Sequence, residues 1–221
     1  MKKKLVASLA LATGLILAAC GNDAEISSAE VEKKADEQNM TSTEAARSEI
    51  TKVGQKAETK DGMLELLKMK EINKTIDVSP LAVTIKDMRL FKMTNVTQHH
   101  IDILKVDSRA ADEIEDEYVY VQVRYDVENK EDKNIAWDGL KHVVTDKGQQ
   151  VDRLQNDIIY TESDSLAPFA GKVTKEFDDG FILKLEDAED ISKIKFVFAP
   201  SMDGDTYEDI TPQQDVEYSF E

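Results

Sequence analysis

The stretch YVYVQVRYDV, residues 118–127, decides the fold of this chain because apolar side chains occupy alternate positions along it. Successive side chains of a β-strand point to opposite faces, so this alternation predicts one apolar face and one mixed face. We therefore expect a half-buried strand of an antiparallel sheet. The apolar face would carry Val119, Val121, Val123, Tyr125 and Val127, and the other face Tyr118, Tyr120, Gln122, Arg124 and Asp126.

Downstream of this stretch, short apolar segments alternate with turn residues. Residues 129–132 read Asn-Lys-Glu-Asp and predict a turn, after which Ile135 and Trp137 begin another strand. Gly148 lies between two β-type segments and predicts the turn of a hairpin over residues 141–151. Further strands are expected at residues 157–160, 172–177, 181–185 and 193–198.

Upstream, residues 76–85 also alternate, on both sides of Pro80. Met88 and Leu90 continue the pattern out of phase, which predicts a β-bulge. Residues 63–69 form an apolar patch that fits either a helical turn or a first edge strand.

These segments together predict the fold class. About eight short strands with turn signals, and no long amphipathic helix, indicate an all-β domain. We expect an immunoglobulin-like antiparallel β-sandwich over residues 63–221.

The N-terminus has the layout of a bacterial lipidation signal. Residues 2–4 are lysines, residues 5–17 are almost entirely apolar, and residues 17–20 read Leu-Ala-Ala-Cys, which resembles a lipobox. The apolar stretch is too short for a bilayer core of about 30 Å. The sequence predicts a lipoprotein signal peptide over residues 1–19 and a diacylglyceryl, palmitate-bearing Cys20. An ordinary cleaved signal that leaves a free cysteine is the alternative.

Residues 20–62 are predicted to be an acidic, flexible tether. They contain no aromatic residue and few large apolar ones, which is too little to offset the entropy of ordering. Their alanine, glutamate and lysine content favours transient helix between Ser28 and Lys52. The tether would hold the domain away from the bilayer.

The charge of the chain limits its partners. The formal charge is −17, and removal of residues 1–19 deletes three lysines and makes it −20. Such a chain is a poor ligand for phosphate backbones or anionic headgroups, so we expect no nucleic acid partner and a membrane contact through the acyl chains alone. A protein or cell-envelope partner, or a divalent cation, fits this charge.

Several features resemble a family of Gram-positive lipoproteins with an immunoglobulin-like domain named after a mycobacterial immunoprotective antigen. The matching features are the lipobox, the acidic tether, the NKTIDV strand at residues 73–78, residues 118–130, and the LAPFAG element at residues 166–171. The resemblance covers residues 70–210. It implies this sandwich fold and a lipid anchor on the extracytoplasmic face of the cell membrane. It brings no catalytic residues, because the family has no established activity.

No arrangement typical of catalysis is visible in the sequence. A hydrolytic nucleophile needs a base and a third group that orients it, yet the chain has three histidines and no Gly-x-Ser-x-Gly segment or glycine-rich phosphate loop. His99 and His100 lie in a polar stretch that we expect to be a loop between strands. We therefore predict a protein that is not an enzyme and has no cofactor, calcium excepted.

Two sets of residues are candidates for binding. Asp203, Asp205 and Asp209 lie in an acidic segment that resembles a calcium loop but lacks the glycine and closing glutamate of an EF-hand. Solvated surface is the alternative for this segment. Aromatic residues are frequent in recognition surfaces, so Tyr118, Tyr120 and Trp137 are the candidates for a partner contact. Tyr118 and Tyr120 could instead cover a sheet edge or pack in a core. For Trp137 we expect packing in a core or against a sheet, with an exposed partner contact as the alternative.

The sequence therefore supports two functions. The first is a lipid-anchored extracytoplasmic module that binds a protein or envelope component without catalysis. The alternative is a surface lipoprotein that binds calcium or a small ligand through residues 203–209.

Overall fold

The computed structural model describes residues 41–159 and 167–221. The signal peptide, Cys20 and the first half of the predicted tether lie outside the described residues. The helices are α1 (Thr43–Glu49), α2 (Gln98–Asp107) and α3 (Arg153–Asn156). The strands are β1 (Lys56–Thr59), β2 (Gly62–Val78), β3 (Leu81–Thr94), β4 (Tyr118–Asn129), β5 (Asn134–Trp137), β6 (Leu140–Thr145), β7 (Gln150–Asp152), β8 (Phe169–Ala170), β9 (Thr174–Leu183), β10 (Lys193–Phe198), β11 (Ser201–Asp203) and β12 (Gln214–Ser219).

Antiparallel sheets dominate the fold, as the sequence predicts. A five-stranded sheet has the order β1-β2-β3-β4-β9, a four-stranded sheet the order β12-β10-β6-β7, and a small sheet the order β11-β5-β8. The inner face of the five-stranded sheet and the other two sheets share one hydrophobic core. This core contains the predicted apolar face of β4 together with Trp137, Phe169, Phe177, Phe196 and Phe198.

A second hydrophobic core lies on the opposite face of the five-stranded sheet. Helices α1 and α2 cover that face, and their apolar side chains pack on Phe91, Tyr118 and Tyr120. Every residue from Tyr118 to Val123 is therefore buried. The expectation of a half-buried strand is wrong for this half of β4, because helices rather than solvent cover its second face.

The strand predictions around β4 are largely confirmed. The patch at residues 63–69 belongs to β2, and the hairpin at residues 141–151 is the β6–β7 pair. The register between β3 and β4 shifts between Ile85 and Asp87, which is the predicted bulge. Because of this shift, Met88 and Leu90 face the same core as Ile85.

The predicted boundary between tether and domain at residue 62 is wrong. Ser42 caps α1 by accepting a hydrogen bond from the amide of Ala45, and β1 pairs with β2. Ala46 and Ile50 are fully buried in the second core. These residues are four positions apart, so they lie on one helix face, and tertiary packing of that face orders a helix too short to be stable alone.

Other expectations also differ from the structure. His99 and His100 lie in α2, which Thr97 caps, and not in a loop. Residues 172–185 contain one strand, β9, where two were expected. Residues 153–156 are helical, and Asp157 makes an isolated bridge to Phe181 where a strand was expected. No helix in the described parts of the chain is long and apolar enough to cross a membrane.

Candidate functional site

A polar cavity of about 220 Å³ lies where α1, α2 and the turn between β1 and β2 meet the second face of β4. We call it the His100 cavity. Its charged and polar lining consists of Ser42, Thr43, Glu44, Arg47, Lys60, Asp61 and His100, and its remaining lining of Leu104, Tyr118 and Ile158.

Four side chains of the cavity form a connected row. The hydroxyl of Thr43 donates to Asp61 Oδ2 over 2.6 Å, and Asp61 Oδ1 lies 3.7 Å from His100 Nδ1. His100 Nε2 lies 3.0 Å from the hydroxyl oxygen of Tyr118. The first and last contacts are hydrogen bonds, whereas the 3.7 Å contact is longer than one. The row links α1, the β1–β2 turn, α2 and β4.

Burial keeps both His100 and Tyr118 uncharged at neutral pH. Burial lowers the pKa of His100, against the attraction of Asp61, so that the imidazole is neutral. Burial also raises the pKa of Tyr118 well above its usual range. Because Tyr118 keeps its proton, we assign it as donor to Nε2, which leaves the proton of His100 on Nδ1, towards Asp61.

Opposite charges line the same cavity. Arg47 is half-buried on α1, and Lys60 is exposed at the rim. Asp61 faces them from the β1–β2 turn with a side chain that is 13% exposed, and Glu44 is exposed at the rim. Such a cavity can hold a small ligand through charged contacts on one side and apolar contacts on the other.

The candidate partner contact at Tyr118, Tyr120 and Trp137 is wrong as an exposed surface, since these side chains are 3%, 1% and 7% exposed. The expectation that Trp137 packs in a core is confirmed. The rings of Tyr118 and Tyr120 lie 5.8 Å apart in the second core. Trp137 lies in the first core, stacks on Phe198 and donates its indole N–H to the carbonyl of Ala199 over 3.0 Å. Of the three, only Tyr118 lines the His100 cavity.

The predicted calcium loop uses its first carboxylate to order its own backbone. Asp203 Oδ1 accepts hydrogen bonds from the amides of Asp205 and Thr206, each 2.9 Å long. These hydrogen bonds lower the pKa of Asp203. Within residues 41–159 and 167–221 no group of three or more His, Cys, Asp or Glu side chains is arranged to hold a metal. Asp209 is exposed, and calcium binding at this loop stays a prediction.

A second set of charged side chains is buried near the edge of the five-stranded sheet. Asp179 on β9 accepts hydrogen bonds from the hydroxyl of Tyr125, over 2.6 Å, and from Arg153 Nε, over 2.9 Å. Asp157 Oδ2 lies 3.7 Å from the same Arg153 nitrogen. Burial and the neighbouring charge of Asp179 raise the pKa of Asp157. This cluster joins α3 to β9, and we assign it a structural role.

Comparisons with known proteins bear on the fold alone. A solved structure of a functionally unknown protein from Listeria monocytogenes EGD-e is similar, with a TM-score of 0.51. The match covers 72% of this chain and 87% of that chain at 12% sequence identity. No family model and no curated protein matches this chain. At this identity the likeness shows a shared fold and carries no function.

Most of the cavity could not be predicted from the sequence, because the segments that supply it were expected to be a flexible tether and a loop. Arg47 and Asp61 fall in the predicted tether, and His100 falls in the predicted loop. A signal was nevertheless present for α2: Thr97 is a favoured N-cap residue, and Ile101 and Leu104 have helical spacing. Nothing in the sequence alone indicates that α1 and α2 meet on one face of β4.

Proposed function

We propose that this chain is a lipid-anchored binding module on the extracytoplasmic face of a bacterial membrane, and not an enzyme. The lipobox-like residues 17–20 support the anchor, and the acidic segment that follows them supports its role as a tether. We further propose that the β-sandwich is of the immunoglobulin-like class. Its partner would be a protein, an envelope component or a small ligand.

The observation that carries the binding role is the His100 cavity with its uncharged His–Tyr pair. Burial lowers the pKa of His100 and raises that of Tyr118, so neither group is charged at neutral pH. The cavity therefore presents two uncharged hydrogen-bonding groups beside charged side chains, which suits recognition of a small ligand.

The anchor is tested by Cys20→Ser in the native host. We expect the parent chain in the membrane fraction with incorporated palmitate. The variant should lose the label and should no longer partition with the membrane, because a two-chain anchor supplies the stable attachment. Palmitate labelling that persists in the Cys20→Ser variant would contradict the proposal.

The binding role is tested by cross-linking on intact cells. A photo-reactive amino acid replaces Lys60, which is exposed at the cavity rim, and in a control chain it replaces Lys147, which is exposed in the β6–β7 turn. Cross-linked products at position 60 that are absent at position 147 would identify what binds at the cavity. Identical patterns at the two positions would contradict a binding surface there.

A further inference from the structure

We propose that the His100 cavity binds a small zwitterion, namely a free α-amino acid with an apolar side chain. This inference rests on the binding role proposed above and names its ligand class. It follows from three features of the cavity: charges of both signs, the partly buried carboxylate of Asp61, and a short apolar wall.

The charges of the cavity match an ammonium group and a carboxylate held close together. Arg47 and Lys60 supply two cations that suit a carboxylate, and a guanidinium can contact both of its oxygens. Asp61 supplies the anion that suits an ammonium group. A ligand with only one charge would satisfy one side and leave the other side facing it without a counter-charge.

Asp61 is the more buried of the two acidic side chains that line the cavity, since its side chain is 13% exposed and Glu44 is exposed. Its Oδ2 accepts the hydrogen bond from Thr43, whereas its Oδ1 lies 3.7 Å from His100 Nδ1, outside hydrogen-bond distance. Since the His100 imidazole is neutral, it does not cancel the charge of Asp61. An ammonium group donates three hydrogen bonds and carries the charge that complements the Asp61 carboxylate.

The volume and the apolar lining of the His100 cavity restrict the side chain of the ligand. The volume of about 220 Å³ is below the ~300–1,000 Å³ of sites for drug-sized molecules, so the cavity suits a small ligand. Leu104 and the partly buried Ile158 line the cavity together with Tyr118, which suits an aliphatic side chain.

The test measures binding of three matched compounds to the full lipoprotein in detergent. L-leucine carries both charges, 4-methylpentanoate lacks the ammonium group, and 3-methylbutylamine lacks the carboxylate. We expect saturable binding of L-leucine by calorimetry and a rise in the thermal midpoint, with each analogue at least about tenfold weaker, since a hydrogen bond to a charged group contributes that much. An analogue that binds as tightly as L-leucine overturns the zwitterion assignment, and so does the absence of binding by every compound at 10 mM.

Substitutions of the residues that line the His100 cavity test whether L-leucine binds there. Arg47→Gln and Asp61→Asn should each weaken L-leucine binding about tenfold or more, whereas Lys105→Gln, on the exposed side of α2, should leave it unchanged. Asparagine retains an oxygen that can accept the Thr43 hydroxyl. If Asp61→Asn does not fold, binding to Arg47→Gln and binding of the two analogues still test the ligand class and the site. If Arg47→Gln binds L-leucine with the affinity of the parent chain, the assignment of the ligand to the His100 cavity is wrong.

Failure of this inference is separable from failure of the proposed function. Without amino-acid binding, the palmitate label on Cys20 and a position-specific cross-link at residue 60 would still support an anchored binding module. Loss of those two results, with L-leucine binding intact, would contradict the anchor and leave the cavity assignment standing.

Discussion

Tyr118 and Tyr120 lie two residues apart on β4 and share a buried face, but their hydroxyl groups have different surroundings. The Tyr118 hydroxyl is within hydrogen-bond distance of His100 Nε2. The Tyr120 hydroxyl is buried and has no partner with hydrogen-bond geometry among the described residues. Burial raises the pKa of Tyr120 to about 12, although the nearby Arg47 guanidinium acts in the opposite direction. A buried hydroxyl without a partner is a cost to the fold.

We expect different effects when each hydroxyl is removed. Tyr118→Phe should lower the free energy of unfolding by about 1 kcal/mol, because it removes a hydrogen bond and leaves His100 Nε2 without a partner. Tyr120→Phe should change it by less than about 0.5 kcal/mol or raise it. Urea unfolding of the two variants measures the difference. Equal losses would contradict the assigned contacts.

At the scale of the elements, one buried arginine joins β3 to α1. Arg89 Nη1 donates to the carbonyl oxygens of Arg47, over 3.0 Å, and of Ile50, over 3.4 Å. Carbonyl groups at the end of a helix lack partners within the helix, so Arg89 satisfies groups that would otherwise be buried without one. Its Nε contacts Asp87, which also pairs with Arg124. The end of α1 is thereby fixed to the sheet.

Replacement of this arginine should release α1 before the rest of the fold. Arg89→Met should lower the free energy of unfolding by about 3 kcal/mol, since it breaks a buried ion pair and leaves helix carbonyls unpaired. Amide exchange should accelerate most at residues 46–50. The control is Lys86→Gln, which breaks an ion pair with Asp126 at partly exposed side chains and should cost less than about 1 kcal/mol. A uniform rise in exchange across the sheet in Arg89→Met would contradict the local role.

Strands with strong alternation could be predicted from the sequence, but the elements that cover them could not. The pattern of β4 predicted its place in a sheet and the apolar face with Val121. It could not distinguish solvent from a helix on the other face, because tyrosines fit both environments. Helix α1 has seven residues and gains its order from packing, so local propensity gives little signal. The cavity was missed for the same reason: it exists only where distant segments meet.

At the scale of the whole molecule, residues 157–159 cover the outer edge of β9. The amide of Ile158 donates to the carbonyl of Gly180, and Asp157 Oδ1 accepts hydrogen bonds from the amides of Gly180 and Ile159. A Cβ atom at residue 180 would lie 2.6 Å from Ile159 Cδ1, so a side chain there would force Ile159 to move. Unpaired strand edges invite association with other chains, and this crossing blocks part of one.

The buried carboxyl group in this crossing should make stability depend on pH. Burial, with a further contribution from Asp179, raises the pKa of Asp157 to about 9, whereas an unfolded aspartate ionises near pH 4. Between these values the folded chain binds more protons than the unfolded chain, so stability falls as the pH rises. Asp178 adds the same trend only up to its pKa of about 6, so from pH 7 to pH 9 the trend comes from Asp157 and its buried neighbour Asp179.

Asp157→Asn should remove most of this trend. Asparagine keeps an oxygen for the amides of Gly180 and Ile159 but has no proton to lose. We expect the urea midpoint of the parent chain to fall between pH 7 and pH 9, with a slope of at most about 1.4 kcal/mol per pH unit in the free energy of unfolding. The variant should have a flatter profile and exceed the parent at pH 9. A parental midpoint that rises over this range would contradict the assignment.

The way the chain joins its folded part also sets how the molecule responds to force. Thr41 is tied to the β1–β2 turn by one hydrogen bond, from the amide of Lys60, and α1 follows immediately. A pull on the chain before Thr41 therefore loads α1 first, through the buried side chains of Thr43, Ala46 and Ile50 and the Arg89 contacts. The long β2–β3 ladder is loaded only after α1 has peeled away. Under force, helix α1 should therefore detach before the strands of the sheet separate.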